Sequence, residues 1–76
     1  MTRTEWLKVR DQLGFKDTGS KGDVLTLENG WSVVADSQES QMIFNVFDPS
    51  GNLVVEFNEP EYAVSRAEEG NKDLPS

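Results

Sequence analysis

The tetrapeptide Asp17-Thr18-Gly19-Ser20 is the first segment whose residue types could support catalysis. An aspartate in this setting can activate water for peptide hydrolysis, but the reaction needs two aspartates that share one proton. The chain contains the tetrapeptide once, and Lys16 and a helix-like run precede it where a buried strand is required. We therefore interpret these residues as a loop, because Asp, Thr, Gly and Ser are typical turn formers.

Three other segments partly match known functional motifs, but simpler structural explanations or missing features argue against each. The run from Gly14 to Lys21 lacks the Gly-Lys-Ser/Thr order of a phosphate-binding loop and follows a helix when it should follow a strand. In the segment from Asp48 to Glu56, the glycine comes too early for a calcium loop and further acids are missing. Glu59 and Glu61 could form a carboxylate pair, but acids at the start of a helix are explained by its dipole.

The composition narrows the chemistry further, because the chain has no cysteine and no histidine. Thiolate catalysis, disulfides and the commonest general base and metal ligand are thereby lost. We predict a protein that is not an enzyme and needs no cofactor or metal. The lack of disulfides favours the cytoplasm, and neither a signal peptide nor a membrane-spanning run is evident, so we expect no membrane partner.

Charge is distributed unevenly along the 76 residues, which carry a net charge of −7. Residues 1–21 hold five basic and three acidic side chains, whereas residues 22–65 hold no basic side chain and eight acidic ones. The eight are Asp23, Glu28, Asp36, Glu39, Asp48, Glu56, Glu59 and Glu61. Such a field disfavours direct binding to nucleic acid and favours a basic protein surface, although an acidic surface also simply promotes solubility.

Helical segments are predicted at both ends of the chain. Thr2 and Glu5 have capping-box spacing, Trp6, Val9 and Leu13 repeat at helical period, and Gly14 is placed to end the helix, which predicts a helix over 3–13. Asn58, followed by Pro60 in the first turn, opens a short second helix that stops at Gly70. Residues 71–76 are predicted to be a flexible tail, so that 1–70 form a single domain.

Four strands are predicted between the helices, over 24–28, 31–36, 41–47 and 52–57, after a loop at 16–23. Asn29-Gly30 predicts a two-residue hairpin in which Glu28 faces Trp31 and Thr26 faces Val33. Asp48-Pro49-Ser50-Gly51 predicts a second hairpin in which Phe47 faces Leu53 and Ile43 faces Phe57. The expected fold class is α+β, with an N-terminal helix, a four-stranded antiparallel meander and a short C-terminal helix.

These registers place apolar residues on both faces of the sheet. Met42, Phe44, Val46 and Val54 are expected on the face opposite Phe47 and Leu53. One face is the core beneath the first helix. The other is either covered by the second helix or left as an interaction patch, and a second copy of the chain is an alternative occupant.

The predicted partner-binding residues combine apolar anchors with carboxylates. Aromatic and apolar side chains would supply affinity, while the acids would guide encounter and orientation. The candidates are Trp31, Asp36, Glu39, Phe44, Asp48, Val54, Glu56, Glu59 and Glu61. For Trp31, packing within the sheet is the alternative to partner contact. The partner is expected to be a basic, nucleic-acid-binding protein surface, and the protein itself a monomer or a homodimer.

In its shortness, its eight acids between 22 and 65 and its helix-and-meander pattern, the chain resembles the small acidic phage proteins that disarm host defence, such as anti-CRISPR inhibitors. The helix followed by strands that end in Asp48-Pro-Ser-Gly51 also resembles PepSY-type domains. The first resemblance implies an inhibitor that acts in the host cytoplasm. The homodimer or assembly component remains the alternative function.

Overall fold

The computed structural model describes residues 1–19 and 22–70; the predicted tail at 71–76 lies outside them. The described residues form two helices and a five-stranded antiparallel sheet in which each strand neighbours the next along the chain. The elements are α1 (Arg3–Leu13), β1 (Lys16–Asp17), β2 (Asp23–Thr26), β3 (Ser32–Gln38), β4 (Gln41–Phe47), β5 (Leu53–Phe57) and α2 (Pro60–Glu69). The α+β class is confirmed.

The additional strand, β1, corrects the prediction of a continuous loop over 16–23. Lys16 pairs with Val24, and Asp17 pairs with Asp23. Two residues are too few to show the alternation by which strands are recognised in a sequence. The Thr18 backbone N–H and hydroxyl both donate to the Gly22 carbonyl and close the loop that follows.

The ends of α1 form as its sequence predicts. The Thr2 hydroxyl accepts a hydrogen bond from the Glu5 N–H, and the Glu5 carboxylate accepts one from the Thr2 N–H, which completes the capping box. Hydrogen bonds from the Thr2 N–H and hydroxyl hold the pKa of the Glu5 carboxyl below its usual value. Gly14 ends the helix with φ 89°, a left-handed conformation that glycine adopts without steric cost.

The C-terminal helix differs slightly from expectation at its start. Its N-cap is Glu59 instead of Asn58, and the Glu59 side chain makes no capping hydrogen bond. Pro60 occupies the first turn as predicted, and the helix ends at Gly70. Ala63 and Ala67 are fully buried, so this helix is held by packing more than by its cap.

The β2–β3 hairpin has a register one residue away from the prediction. Thr26 pairs with Ser32, and Leu25 pairs with Val33. The Leu27 N–H donates to the Trp31 carbonyl and the Gly30 N–H to the Leu27 carbonyl, so the loop has three residues, with Gly30 at φ 91°. This is a type I turn followed by a left-handed glycine, and Asn29 therefore does not need the positive φ on which the two-residue prediction rested.

The β4–β5 hairpin confirms half of its predicted register. Phe47 pairs with Leu53 as expected, but a bulge follows, and Phe44 instead of Ile43 pairs with Phe57. Val54 has no partner in β4 and is the extra residue of the bulge. Because side chains alternate along a strand, the shift places Val55 and Phe57 on the same face as Phe44 and Val46.

Both helices pack on one face of the sheet, which we call the covered face. The Trp6 ring of α1 makes edge contacts with Phe15 and Phe44, at centroid distances of 4.8 and 5.0 Å. The strand residues that face the helices on the covered face are Asp23, Leu25, Val33, Ala35, Met42, Phe44, Val46, Val55 and Phe57. Trp6 and Phe44 have no exposed surface, so both belong to the core.

The opposite side of the sheet, which we call the open face, has no helix over it among the described residues. The apolar positions of the open face are Val24, Val34, Ile43, Phe47 and Leu53. Of the alternatives for the second apolar face, coverage by α2 is therefore wrong. Met42, Phe44 and Val46 lie opposite Phe47 and Leu53 as predicted, on the face that both helices cover. Trp6 of α1 and the alanines Ala63 and Ala67 of α2 belong to the same buried cluster on the covered face.

Candidate partner-binding surface

Cross-strand pairing brings the apolar residues of the open face together. Phe47 stands between Ser32 on β3 and Leu53 on β5, and Ile43 stands opposite Asp36. Val34, Ile43 and Phe47 are half-buried by their neighbours in the sheet, whereas Leu53 retains 54% of its surface exposure. Val34 lies diagonally across from Ile43 and from Phe47, and Phe47 lies opposite Leu53; we call these four side chains the apolar stripe. Apolar groups at a surface mark interaction sites in many proteins.

Two carboxylates border this stripe. Asp36 lies opposite Ile43, and Glu56 lies opposite Asn45; both are exposed. The ion pairs found in the described part of the chain join Arg10 to Asp11 and Asp23, so neither Asp36 nor Glu56 is neutralised there. Lys16, at the far edge beside Val24, is the basic side chain that the sheet register assigns to this face.

Asn45 occupies the middle of the open face with an unsatisfied acceptor. Its Oδ1 atom is buried by the surrounding side chains and accepts no hydrogen bond from a described residue. A buried carbonyl without a donor costs about 1–3 kcal/mol. Asn45 lies between Val34 on β3 and Glu56 on β5.

Two of the predicted apolar anchors are buried, contrary to their prediction as partner contacts. Trp31 is 4% exposed; the Arg66 guanidinium lies 5.3 Å from its ring centroid, and Gly70 packs against the indole edge. Phe44 is fully buried beneath Trp6. Both belong to the covered face, so neither side chain can contact a partner of the folded protein. Val54, the third predicted anchor, is 40% exposed beside Leu53.

The six predicted carboxylates do not form one continuous patch. Asp36 and Glu56 lie on the open face, while Glu39 lies in the β3–β4 turn, and Glu59 and Glu61 belong to the start of α2. Asp48 has a structural role, because its Oδ1 atom accepts hydrogen bonds from the backbone N–H groups of Ser50 and Asn52 at 3.0 and 2.9 Å. The structure thus brings two of the six together beside the apolar stripe.

The end of the open face near the β3–β4 turn is concave. A depression of about 330 Å³ is lined by Gln38, Glu39, Ser40, Gln41 and Ile43. Glu39, which has φ 57°, is held at its rim in a conformation that non-glycine residues rarely adopt. The predicted contact residue Glu39 is therefore adjacent to the apolar stripe through Ile43, although it is not part of either sheet face.

One acid of the base-free stretch is buried on the covered face and unavailable to a partner. The Asp23 carboxylate accepts a hydrogen bond of 2.6 Å from the Trp6 indole Nε1 and lies 3.5 Å from the Arg10 guanidinium. Asp23 is 6% exposed. It joins β2 to α1, since a buried carboxylate needs charged or hydrogen-bonding partners of this kind.

Five residues of the open face were not among those predicted from the sequence to bind a partner: Val34, Ile43, Asn45, Phe47 and Leu53. The alternation within β4 was a usable signal, because Ile43, Asn45 and Phe47 must share a face. The pattern did not indicate which of the two faces the helices cover.

Within residues 1–19 and 22–70, no group of three or more carboxylates is arranged to hold a metal ion. No helix of the described segments is long and apolar enough to cross a membrane. Comparisons with protein-family models, with curated proteins and with solved structures found no match for this chain.

Proposed function

We propose that this protein is a non-enzymatic binding protein that docks its open face on a basic surface of a partner protein. The observation that carries the proposal is the joint presence on that face of an apolar stripe and two unpaired carboxylates, Asp36 and Glu56. Apolar side chains supply affinity once water is excluded from them, and carboxylates select a cationic partner and speed its approach.

The placement of the basic residues supports a cationic partner. The exposed bases Arg3 and Lys8 belong to α1, on the other side of the sheet, and Arg10 is occupied by Asp11 and Asp23. With a net charge of −7, the chain repels nucleic acid and anionic lipid.

The number of carboxylates limits what the surface can imitate. Duplex DNA carries about 18 charges over roughly 30 Å of its axis, far more than the open face offers. The protein therefore fits a local basic groove better than a full duplex-binding channel. By extension we propose an inhibitor that occupies a nucleic-acid-binding site of its partner, in the manner of phage anti-defence proteins, in the cytoplasm of the host.

Site-specific photo-crosslinking tests the proposal. The crosslinker p-benzoylphenylalanine is placed at position 47 on the open face or at position 7 on α1, where Leu7 is 45% exposed. We expect position 47 to capture one basic protein from lysate of the host cells, with a yield that falls as salt rises. Equal capture from positions 47 and 7 would contradict the proposal.

Charge reversal provides the matched control. D36K with E56K changes the net charge of the open face, and E61K with E68K makes the same change on α2. We expect the first pair to lower capture from position 47 at least tenfold and the second pair to lower it less than twofold. Both variants should keep the melting temperature of the parent within a few degrees, since all four side chains are exposed.

The second candidate function, a homodimer or assembly component, is favoured by the same apolar stripe. Two copies could bury Phe47 and Leu53 against each other. Static light scattering at low and high salt decides between the candidates. A dimer that persists at low salt would support this function, whereas a monomer would favour the basic partner.

A further inference from the structure

The two edges of the sheet differ in how well they are protected from pairing with another strand. The β1 edge is two residues long and carries Lys16, and short length and lysine are common protections of an edge. The β5 edge is five residues long, contains no proline or lysine, and has Glu56 as its charged residue. Its bulge at Val54 is the one feature that discourages pairing.

The outer backbone of β5 is available for hydrogen bonding. Within the described chain, β5 has β4 as its sheet neighbour. No backbone hydrogen bond outside the sheet involves Leu53–Phe57 among the described residues. An edge strand directs alternate N–H and C=O groups away from the sheet, and an incoming strand can use them as a template.

We infer that the basic partner of the proposed function adds a β-strand to the free edge of β5. In such a pairing, alternate side chains of the added strand fall on the two sides of the sheet. On the open-face side they meet Leu53 and the Glu56 carboxylate. On the covered side they meet Val55, Phe57 and the exposed Tyr62, whose ring centroid is 6.4 Å from that of Phe57.

The chemistry of these neighbours defines the incoming sequence. A lysine or arginine opposite Glu56 would pair with its carboxylate, and the net charge of −7 favours further basic residues on the same side of the added strand. Apolar residues at the positions between would pack on Phe57 and Tyr62. The partner strand is therefore an alternating basic and apolar segment. This inference rests on the proposed function for the charge of the partner but concerns a different part of the surface, the strand edge.

A second copy of the chain fits this edge less well. Antiparallel pairing of two β5 strands about Val55 would place Glu56 of each copy across from Val54 of the other. Both Glu56 carboxylates would then lie on the same side of the joined sheet, two positions apart. Two chains that each carry −7 would also repel each other. An alternating basic strand removes both penalties.

The peptide Lys-Val-Lys-Val-Lys-Val-Lys is a suitable probe for nuclear magnetic resonance of the full chain. We expect it to slow hydrogen exchange at alternate amides of Leu53–Phe57, because only every second amide of an edge strand faces outward. Cross-strand nuclear Overhauser effects between the peptide and β5 should accompany this protection. The same peptide with proline at its central position should bind at least tenfold more weakly, since proline cannot donate to the ladder.

Two protein variants serve as matched controls. E56K should weaken the binding of the peptide at least tenfold, whereas E68K, which makes the same charge change near the end of α2, should weaken it less than twofold. An acidic peptide that alternates Glu and Val should not bind. Spectra of both variants verify that the fold is kept.

Strand addition and the proposed function fail in different ways. Spectral changes over Val34, Ile43 and Phe47 without protection of β5 amides would overturn strand addition and leave open-face docking intact. The absence of any binding by the basic peptide would also overturn strand addition, while crosslinking from position 47 decides the proposed function independently. Protection of β5 together with no capture from position 47 would support the edge and overturn open-face docking.

Discussion

The two faces of this sheet are built from the same strands yet differ in almost every physical respect. Val33 and Val34 are neighbours in β3, but Val33 is fully buried and Val34 is half-buried on the other side. The acid of the covered face, Asp23, has both of its oxygens engaged, whereas the acids of the open face have no cationic partner among the described residues. The two faces therefore differ less in apolar content than in the pairing of their carboxylates.

Truncation of a phenylalanine on each face should give the largest difference. Phe44→Ala removes a fully buried ring that contacts Trp6, and we expect it to lower the free energy of unfolding by about 3–5 kcal/mol. Phe47→Ala removes a half-buried ring from the open face and should cost about 1–2 kcal/mol. Urea denaturation followed by tryptophan fluorescence measures both.

The first loss is severe for a chain of this size, whose total stability is about 4–11 kcal/mol at the usual value per residue. Phe44→Leu is the milder variant if Phe44→Ala does not fold. Equal losses at positions 44 and 47 would mean that the open face is covered in solution.

The aspartates of the two faces provide the second comparison. Asp23→Ala leaves the Trp6 indole N–H buried without an acceptor and removes the carboxylate beside Arg10, which should cost about 2–4 kcal/mol. Asp36→Ala removes an exposed carboxylate whose hydrogen bond is to the adjacent Ser37 N–H, and the cost should stay within about 0.5 kcal/mol. Thermal denaturation of the two variants compares them; a cost at Asp36 near that at Asp23 would refute the unpaired state of the open-face acid.

The turn that joins β3 and β4 belongs to neither face and should give the smallest effect. Glu39 is held at φ 57°, which costs a non-glycine residue about 1–2 kcal/mol. Glu39→Gly relieves that strain but loses more entropy on folding, so we expect a net gain of about 0.5–1 kcal/mol. Glu39→Ala keeps the strain and is the control; a gain of the same size from alanine would mean that charge, and not backbone strain, is responsible.

The helices and their ends were predictable because short-range rules govern them. The Thr2–Glu5 capping box and the glycines at positions 14 and 70 act within a few residues of sequence. Both hairpins could be predicted from the sequence, but their registers could be predicted only in part. The Asn29 carboxamide is used for contacts to Trp31 and to α2, and the bulge at Val54 depends on packing between strands.

The candidate site was only partly predictable for the same reason. Asp36, Glu56 and Val54 are exposed as expected, but Trp31 and Phe44 are buried because both helices lie on their face. The face that a helix covers is decided by contacts between residues far apart in the sequence, such as Trp6 with Asp23 and Asn29 with Ala67. No local pattern records those contacts.

The Asn29 side chain connects the β2–β3 loop to the end of α2. Its Nδ2 group donates to the Ala67 carbonyl at 2.9 Å, while its Oδ1 atom accepts from the Trp31 N–H at 3.0 Å. A loop fastened in this way prevents the two strands from sliding past each other, because any slip would detach the tip from the helix. The β2–β3 loop and the end of α2 are therefore coupled through one hydrogen bond, and an added loop residue would disturb a helix nearly forty positions away.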